Sequence, residues 1–358
     1  GDKNALIPTQ LGNDKIKWES TVQKDLGLDF SFMRGRLGGT FGYYHKVTDG
    51  TLLNMTPAPS SSYSTVVFNI AKIRNQGLEF DIHGDFIRKK DFRWTGNLNI
   101  SRNVSKVLDI NGGPFSDPND RDAMNLGTSV VKEGEPLGLL YGRVATGIIK
   151  TQAQLEAARE EFSLWTIFDP YLNLGDIAYE YEDGFWKEDV IGHATPDFFG
   201  GYTNTINWNR FTLTALFTFS YGNDLIYQKD VSDSGMSSLA NRGTRVLNHY
   251  SEDNTSSNRP RSMWATTYML SSLNVYDASY LKLKTLSLSY NLPESICRKV
   301  RIKSASVYGT ATNVFTITSY PGPDPEVSDD PTSVIGGGRD VSTYPTVKSY
   351  TFGIRINF

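Results

Sequence analysis

The last ten residues of the chain read SYTFGIRINF (residues 349–358). Apolar and polar side chains alternate strictly along them, which is the period of a β-strand with two different faces. The polar positions hold small or amide side chains and one arginine, Arg355. The segment therefore predicts a two-sided strand whose apolar face is made of Tyr350, Phe352, Ile354, Ile356 and Phe358.

Similar runs recur along the chain. The clearest ones alternate over about 9–13 residues, close to the length of a tilted membrane strand and longer than most soluble strands. Their polar faces are rich in Gly, Ser, Thr and Asn, as a wet lumen would be, instead of Lys and Glu. We therefore expect an all-β, transmembrane antiparallel β-barrel, with a soluble sandwich or propeller as the alternative. The predicted strands are residues 18–33, 36–49, 75–88, 91–108, 198–209, 211–227, 277–291, 301–316 and 346–358.

The amino-acid composition excludes several other classes of protein. The 358 residues include one cysteine and carry a formal net charge of −3, which excludes a disulfide framework and gives no electrostatic footprint for nucleic acid. No run of about 18 apolar residues predicts a membrane helix. Helical periodicity is nearly confined to residues 151–160, where Thr151 and Gln154 have the spacing of a capping box.

Connections between the predicted strands alternate between short and long. Tight turns near residues 33–36, 88–91 and 208–210 and a medium one at 292–300 alternate with segments 50–74, 109–197, 228–276 and 317–345. Barrels of the outer membrane alternate short periplasmic turns with long extracellular loops in this way. We expect nine spanning strands, or eleven if runs 137–149 and 175–191 also span. An odd number of strands predicts that this chain forms only part of a barrel. Bacterial barrels have even strand numbers, and an unpaired strand edge is not tolerated in lipid.

An ordered series of motifs carries a family resemblance over nearly the whole chain. The chain resembles the C-terminal portion of SusC/RagA-type TonB-linked outer-membrane transporters. The motifs are Asp14-Lys15-Ile16-Lys17-Trp18-Glu19, Gly27-Leu28-Asp29-Phe30, Asn75-Gln76-Gly77-Leu78-Glu79, Gly134-Glu135-Pro136-Leu137-Gly138, Pro196-Asp197-Phe198, Tyr221-Gly222-Asn223-Asp224, Tyr280-Leu281-Lys282-Leu283-Lys284, Asn313-Val314-Phe315 and Asp324-Pro325-Glu326.

The resemblance implies a 22-stranded barrel in the bacterial outer membrane, of which residues 1–358 would supply about 9–11 strands, without the plug and N-terminal extension. Residues 109–197 would form a large extracellular loop region. The resemblance further implies import of large nutrients, either glycans or oligopeptides. The expected partners are a SusD-like lipoprotein, the remainder of the barrel and plug, TonB acting through the plug, and membrane lipid around the wall. The alternatives are a self-standing small outer-membrane barrel with an adhesion or structural role, and a soluble β-rich protein that binds or cleaves glycans.

No catalytic or metal site is expected. The histidines, His45, His83, His193 and His249, share no ligand spacing, and no Gly-x-Ser-x-Gly elbow is present. No cofactor is expected either. The family's acidic loop is shortened here, and Glu180, Glu182, Asp183 and Asp189 leave Ca²⁺ binding open beside the interpretation as a solvated acidic loop.

Two sets of residues are candidates for functional contacts. Trp165, Trp186 and Trp264 lie in the long loops, where aromatic faces stack on sugars, peptides or a lid protein, or pin the loops to each other. Tyr350, Phe352, Ile354, Ile356 and Phe358 form a terminal alternating strand like the signal read by the machinery that inserts barrels. The alternative for that segment is an ordinary last strand of a soluble sheet.

Overall fold

The computed structural model describes residues 10–55, 60, 63, 65–110, 122–161, 172–235, 241–262, 269–330, 333 and 335–358. Nine long strands form one curved wall. In chain order they are β1 (Ser20–Phe32), β2 (Leu37–Met55), β3 (Thr65–Arg88), β4 (Phe92–Asp109), β5 (Phe198–Trp208), β6 (Phe211–Tyr221), β7 (Tyr280–Asn291), β8 (Ser304–Thr318) and β9 (Ser349–Asn357).

Each wall strand pairs with its sequence neighbours in the wall, always antiparallel. Within the described residues, β1 pairs only with β2 and β9 only with β8. A short strand, Gln10–Leu11, adds a parallel pairing to the start of β3. The two outer edges of the wall therefore do not pair with each other in this chain.

The prediction of nine spanning strands is confirmed, and the alternative of eleven is wrong. Runs 137–149 and 175–191 lie outside the wall, in small sheets of their own. These sheets are built from Ala123–Asn125, Ser129–Lys132, Leu139–Arg143, Ala145–Ile148, Ile177–Tyr179, Tyr181–Glu182, Phe185–Trp186 and Glu188–His193.

Two predicted boundaries are wrong. The predicted loop 50–74 is mostly strand, because β2 and β3 continue beyond the wall as a long paired hairpin. The predicted strand 211–227 ends at Tyr221. Gly222 has a φ of +85°, and its amide donates to the hydroxyl of Ser279 at 2.9 Å. After this left-handed turn Asp224–Tyr227 pairs with Val275–Asp277 and Arg339–Asp340 in a separate sheet.

The wall has the opposite polarity from a soluble sheet. Its apolar side is exposed: Phe352 is 84% and Ile354 69% accessible. On its polar side, by contrast, Lys282 of β7 is only 1% accessible. A soluble protein buries its apolar face, so this arrangement requires an apolar surrounding outside the wall and a polar interior.

The long connections emerge at one end of the wall, here called the loop end, and the tight turns at the other, the turn end. At the loop end, the extensions of β3 and β4 pack against the first small sheet. Val66, Ala71, Ile73, Val107, Ile110, Met124, Val131 and Leu137 form this buried cluster. The loop layer thus has an apolar core of its own.

Three short α-helices and two 3₁₀ helices, Thr244–Asn248 and Ser272–Asn274, complete the described chain. Helix α1 (Gln152–Glu161) confirms the predicted capping box, since the Gln154 amide donates to the Thr151 hydroxyl at 3.2 Å and the Thr151 amide donates to the Gln154 side chain at 3.0 Å. Helices α2 (Gln228–Gly235) and α3 (Glu294–Lys299) were not predicted. No helix of the described residues is long and apolar enough to cross a membrane.

Candidate functional site

A buried ion cluster joins the polar side of the wall to the last long loop. Lys282 and Lys284 lie near the loop end of β7, on a strand whose other polar positions are mostly Ser and Thr. The Lys282 ammonium donates to Asp324 at 2.9 Å and also to Glu326, and Lys284 donates to Glu326 at 2.9 Å. A register shift between Leu283 and Thr285 accompanies this pair of lysines. The segment 319–346 is thereby fixed against the interior of the wall.

The acidic partners are further constrained by the loop itself. Asp324 accepts hydrogen bonds from the Glu326 amide at 3.0 Å and from both the amide and the hydroxyl of Thr346. Burial alone would raise the pKa of Asp324, but the hydrogen bonds from Thr346, Glu326 and Lys282 hold it below its usual value. Burial alone would likewise raise the pKa of Glu326, but the hydrogen bonds and charges of Lys282 and Lys284 hold it below its usual value. Both groups are therefore carboxylates at neutral pH.

A cavity of about 450 Å³ with a mixed polar and apolar lining opens beside this cluster. Tyr280 lies at its wall side, and its hydroxyl donates to Glu326 at 3.0 Å. Across the cavity lie residues 325–328, 330, 333, 337 and 338, and the third side comes from residues 194–196, 220, 223 and 225. The hydroxyl, amide and carboxylate groups can hydrogen-bond a ligand, while Leu225, Val327 and the Tyr280 ring supply apolar contacts.

Further buried acids join the other long loops. Asp176 receives a two-pronged contact from Arg261, at 2.7 and 3.0 Å, which connects segment 172–193 to segment 241–262. Asp230 of α2 binds Arg259 at 2.7 Å and Arg245 at 3.3 Å. Bidentate arginine–carboxylate contacts fix geometry as well as charge. The loops therefore form one connected layer over the interior.

Of the three predicted tryptophans, Trp186 is the one that lies within the described residues, whereas Trp165 and Trp264 lie outside them. The Arg143 guanidinium stacks over the Trp186 ring, 3.9 Å from its centroid. One face of Trp186 is therefore engaged by the loop layer. This contact favours the interpretation that the ring pins the loop, while contact of the half-buried ring with a ligand or lid stays a prediction.

The acidic segment is a tight hairpin. Tyr181 and Glu182 pair with Trp186 and Phe185, and the two residues between them, Asp183 and Gly184, both have positive φ values. This is the geometry of a type I′ turn. Lys187 contacts Glu180 at 3.2 Å, and that hydrogen bond raises the pKa of Lys187. Among the described residues no group of three or more His, Cys, Asp or Glu side chains is placed to hold a metal ion. Calcium binding stays untested.

The terminal strand lies at the outer edge of the wall. The five predicted residues face the exposed side, and Phe358 is 92% accessible. Their role as an assembly signal stays a prediction. The Lys282–Asp324–Glu326 cluster was not predicted, although the two motifs that supply it were recognised separately. A pair of lysines on an otherwise uncharged polar face was the signal that could have found it.

Comparison with known proteins identifies the family. The family described as TonB dependent receptor-like, beta-barrel matches residues 4–314. The chain belongs to this family. The TonB-dependent receptor P3 of Formosa agariphila is 32% identical over 99% of the chain. The TonB-dependent receptor SusC of Bacteroides thetaiotaomicron is 26% identical over 97% of it.

The solved structures agree on the fold. The RagAB peptide transporter superposes with a TM-score of 0.76 at 23% identity, over 97% of this chain and 36% of that one. The chain likewise spans 36% of the length of receptor P3 and 32% of that of SusC. The resemblance to SusC/RagA-type receptors is thus confirmed, and the nine strands are part of a TonB-dependent receptor barrel. Its relatives are named as receptors and transporters, and none of those reported above is named as an enzyme.

Proposed function

We propose that this TonB-dependent receptor barrel is part of a bacterial outer-membrane importer for large nutrients. The observation that carries the proposal is the contrast between the two faces of the wall. The outer face is apolar and exposed, whereas the inner face is covered by polar loops that pack against it. In this arrangement the loop end faces the cell exterior and the turn end the periplasm. The wall would be rigid, and energy would come from TonB acting through a plug elsewhere in the full-length protein.

We infer that the nutrients are glycans or oligopeptides and that a SusD-like lipoprotein covers the loop end. Two relatives motivate this inference: the receptor named SusC, and RagAB, which is named as a peptide transporter. The cavity beside Glu326 offers both hydrogen-bonding groups and apolar surface, which suit either ligand class. The connected loop layer offers a preorganised surface for a lid.

Uptake by the full-length receptor tests this function. A strain with the receptor deleted should lose uptake of one class of labelled oligomer, either glycans or peptides of several residues, and the wild-type gene should restore it. A receptor whose TonB-contacting segment is removed should bind the oligomer at the cell surface without importing it. Normal uptake of every oligomer by the deletion strain, under conditions that express the receptor, would contradict the proposal.

The adhesion or structural alternative requires the wall to close on itself. Among the described residues, the long strands of the wall number nine, and the edges β1 and β9 do not pair with each other. No observation therefore favours it. The exposed apolar face likewise gives no support to a soluble glycan-binding or glycan-cleaving protein.

A further inference from the structure

A groove of about 840 Å³ crosses the apolar outer face of the wall near the turn end. Its floor is β8, where Ala311 leaves the surface low, while the Phe352 ring of β9 lies over Gly309, 3.2 Å from where an added Cβ atom would be. Leu286 and Leu288 of β7 form one side, and the terminal strand β9 forms the other. A channel between two ridges of hydrocarbon on a membrane-facing surface has the shape and chemistry of an acyl-chain site.

The groove lies within one leaflet. At the turn end it begins beside Phe211 and Tyr290, whose rings are 4.7 Å apart. From there it extends along β8 from Val307 to Ala311, a length of about 13 Å along the strand. With barrel strands tilted by roughly 40°, this length corresponds to about 10 Å along the membrane normal. One leaflet of a bilayer core is about 15 Å thick, so the groove covers about two-thirds of the leaflet on the turn-end side.

Unpaired cations surround the mouth of the groove. Arg210 immediately precedes Phe211, and its carbonyl accepts from the Asn291 amide at 2.9 Å, next to Tyr290. Lys299, Arg301 and Lys303 lie in the turn that leads into β8, and all four cationic side chains are exposed. None of the four makes a side-chain hydrogen bond or ion pair with any described residue. They lie at the height where lipid headgroups meet the protein.

Exposed apolar side chains occur in the same turn. Ile296 is 47% and Val300 60% accessible, although both belong to a segment with four basic residues. Only Arg298 among these is neutralised, by Glu294 at 3.1 Å. A segment that exposes both hydrocarbon and positive charge suits the interface of an anionic membrane.

We propose that this groove and its basic mouth form a binding site for an anionic glycerophospholipid of the periplasmic leaflet. One acyl chain lies over Ala311, between Leu286 and Leu288 of β7 on one side and the terminal strand β9 on the other. The phosphate contacts Arg210, Lys299 and Lys303. The proposal depends on the membrane orientation of the barrel and is independent of the nutrient that it imports.

The wall provides an internal comparison. The turn at residues 88–91 also carries basic side chains, including Lys89 and Lys90. Above it, however, Phe86 and Trp94 pack edge to face with centroids 5.1 Å apart, and neither residue lines the groove described above. This turn therefore has the charge of the proposed site without the groove.

Native mass spectrometry of the purified full-length receptor tests the site, with phosphatidylglycerol, phosphatidylethanolamine and lipid A added separately. We expect Lys299→Gln with Lys303→Gln to reduce bound phosphatidylglycerol by about tenfold or more, since each cation near an anionic lipid surface contributes roughly a fivefold change. Ala311→Leu, which fills the floor, should reduce it comparably. Lys89→Gln with Lys90→Gln, and Ala215→Leu on the same outer face, are the matched controls and should bind as the wild type does.

Equal retention of phosphatidylglycerol in all variants would overturn the proposal. Preferential binding of lipid A, or equal binding of phosphatidylethanolamine, would also overturn it. Folding of each variant is checked by the heat-dependent shift of the barrel in gel electrophoresis. If Ala311→Leu fails to fold, the lysine variant decides the outcome alone, because its side chains are exposed and make no described contact.

Discussion

Lys282 is the residue whose environment most constrains the loop end. It is 1% accessible, and its two carboxylate partners, Asp324 and Glu326, belong to a segment about 40 residues further along the chain. A buried ion pair contributes little compared with a well-packed apolar pair, but removing one partner leaves the other charges buried and uncompensated. The cluster therefore acts as a fixed connection whose individual members cannot be removed singly without cost.

We predict that Lys282→Met destabilises the docked position of segment 319–346 by about 3 kcal/mol. Hydrogen exchange of the full-length receptor should show faster exchange in this segment and little change in β3 and β4. Lys284→Met is the comparison and should loosen the segment less, since Lys284 is partly exposed and Glu326 keeps its contact with Lys282. Equal protection in the Lys282 variant and the wild type would contradict the role of the cluster.

Asp324 and Glu326 also predict a pH dependence. Their pKa values are lowered in the folded state, so their contribution is complete above the ordinary carboxylate range and is lost as the pH falls through the lowered values. We expect segment 319–346 to loosen below about pH 4. A spin label at Tyr344→Cys, an exposed position in this segment, should become more mobile there. The label should be equally mobile at all pH values in Asp324→Asn with Glu326→Gln.

Close contacts between glycines and aromatic rings fix the pairing of neighbouring wall strands. A Cβ atom added at Gly353 of β9 would lie 2.5 Å from the ring of Tyr308 on β8. The same arrangement occurs at Gly77 of β3, where Tyr44 of β2 occupies the space and donates to Asn103 at 2.8 Å. Since β9 is an edge of the described wall, its position depends strongly on the pairing with β8.

We therefore predict that Gly353→Ala reduces the amount of folded receptor in the membrane, because the new methyl group displaces the Tyr308 ring. Tyr308→Ser combined with Gly353→Ala should recover much of the loss. Gly27→Ala on β1 is the control, since nothing lies within 4 Å of its added Cβ atom. The heat-dependent gel shift measures the folded fraction. A normal folded fraction for Gly353→Ala would show that the ring moves aside freely.

The molecule as a whole depends on insertion of an amphipathic wall whose apolar face the described residues leave exposed. The terminal strand contributes five exposed apolar side chains to that face, and Phe358 is the most accessible of them. We predict that deletion of Phe358 lowers the amount of full-length receptor assembled in the outer membrane severalfold. Phe358→Tyr, which keeps an aromatic ring, should assemble normally. Unimpaired assembly of the deletion variant would contradict the assembly-signal hypothesis.

The alternation of side chains determined the wall almost completely. Nine strands, their order and their outer faces follow from a period of two, because each strand must present hydrocarbon to lipid and polar groups to water. Capping chemistry likewise located α1, since Thr151 and Gln154 satisfy each other locally. In these cases the decisive interactions are made within a few residues or are imposed by the membrane.

Only the tertiary structure decided the loop end. Asp324 and Lys282 are far apart in sequence, and neither motif indicates its partner. The break of β6 at Gly222 depends on a sheet formed with residues 275–277 and 339–340, and the groove over Ala311 depends on ridges from β7 and β9 on either side of β8. Such features arise from pairings between distant segments, whose specificity lies in three-dimensional packing and charge complementarity instead of local periodicity.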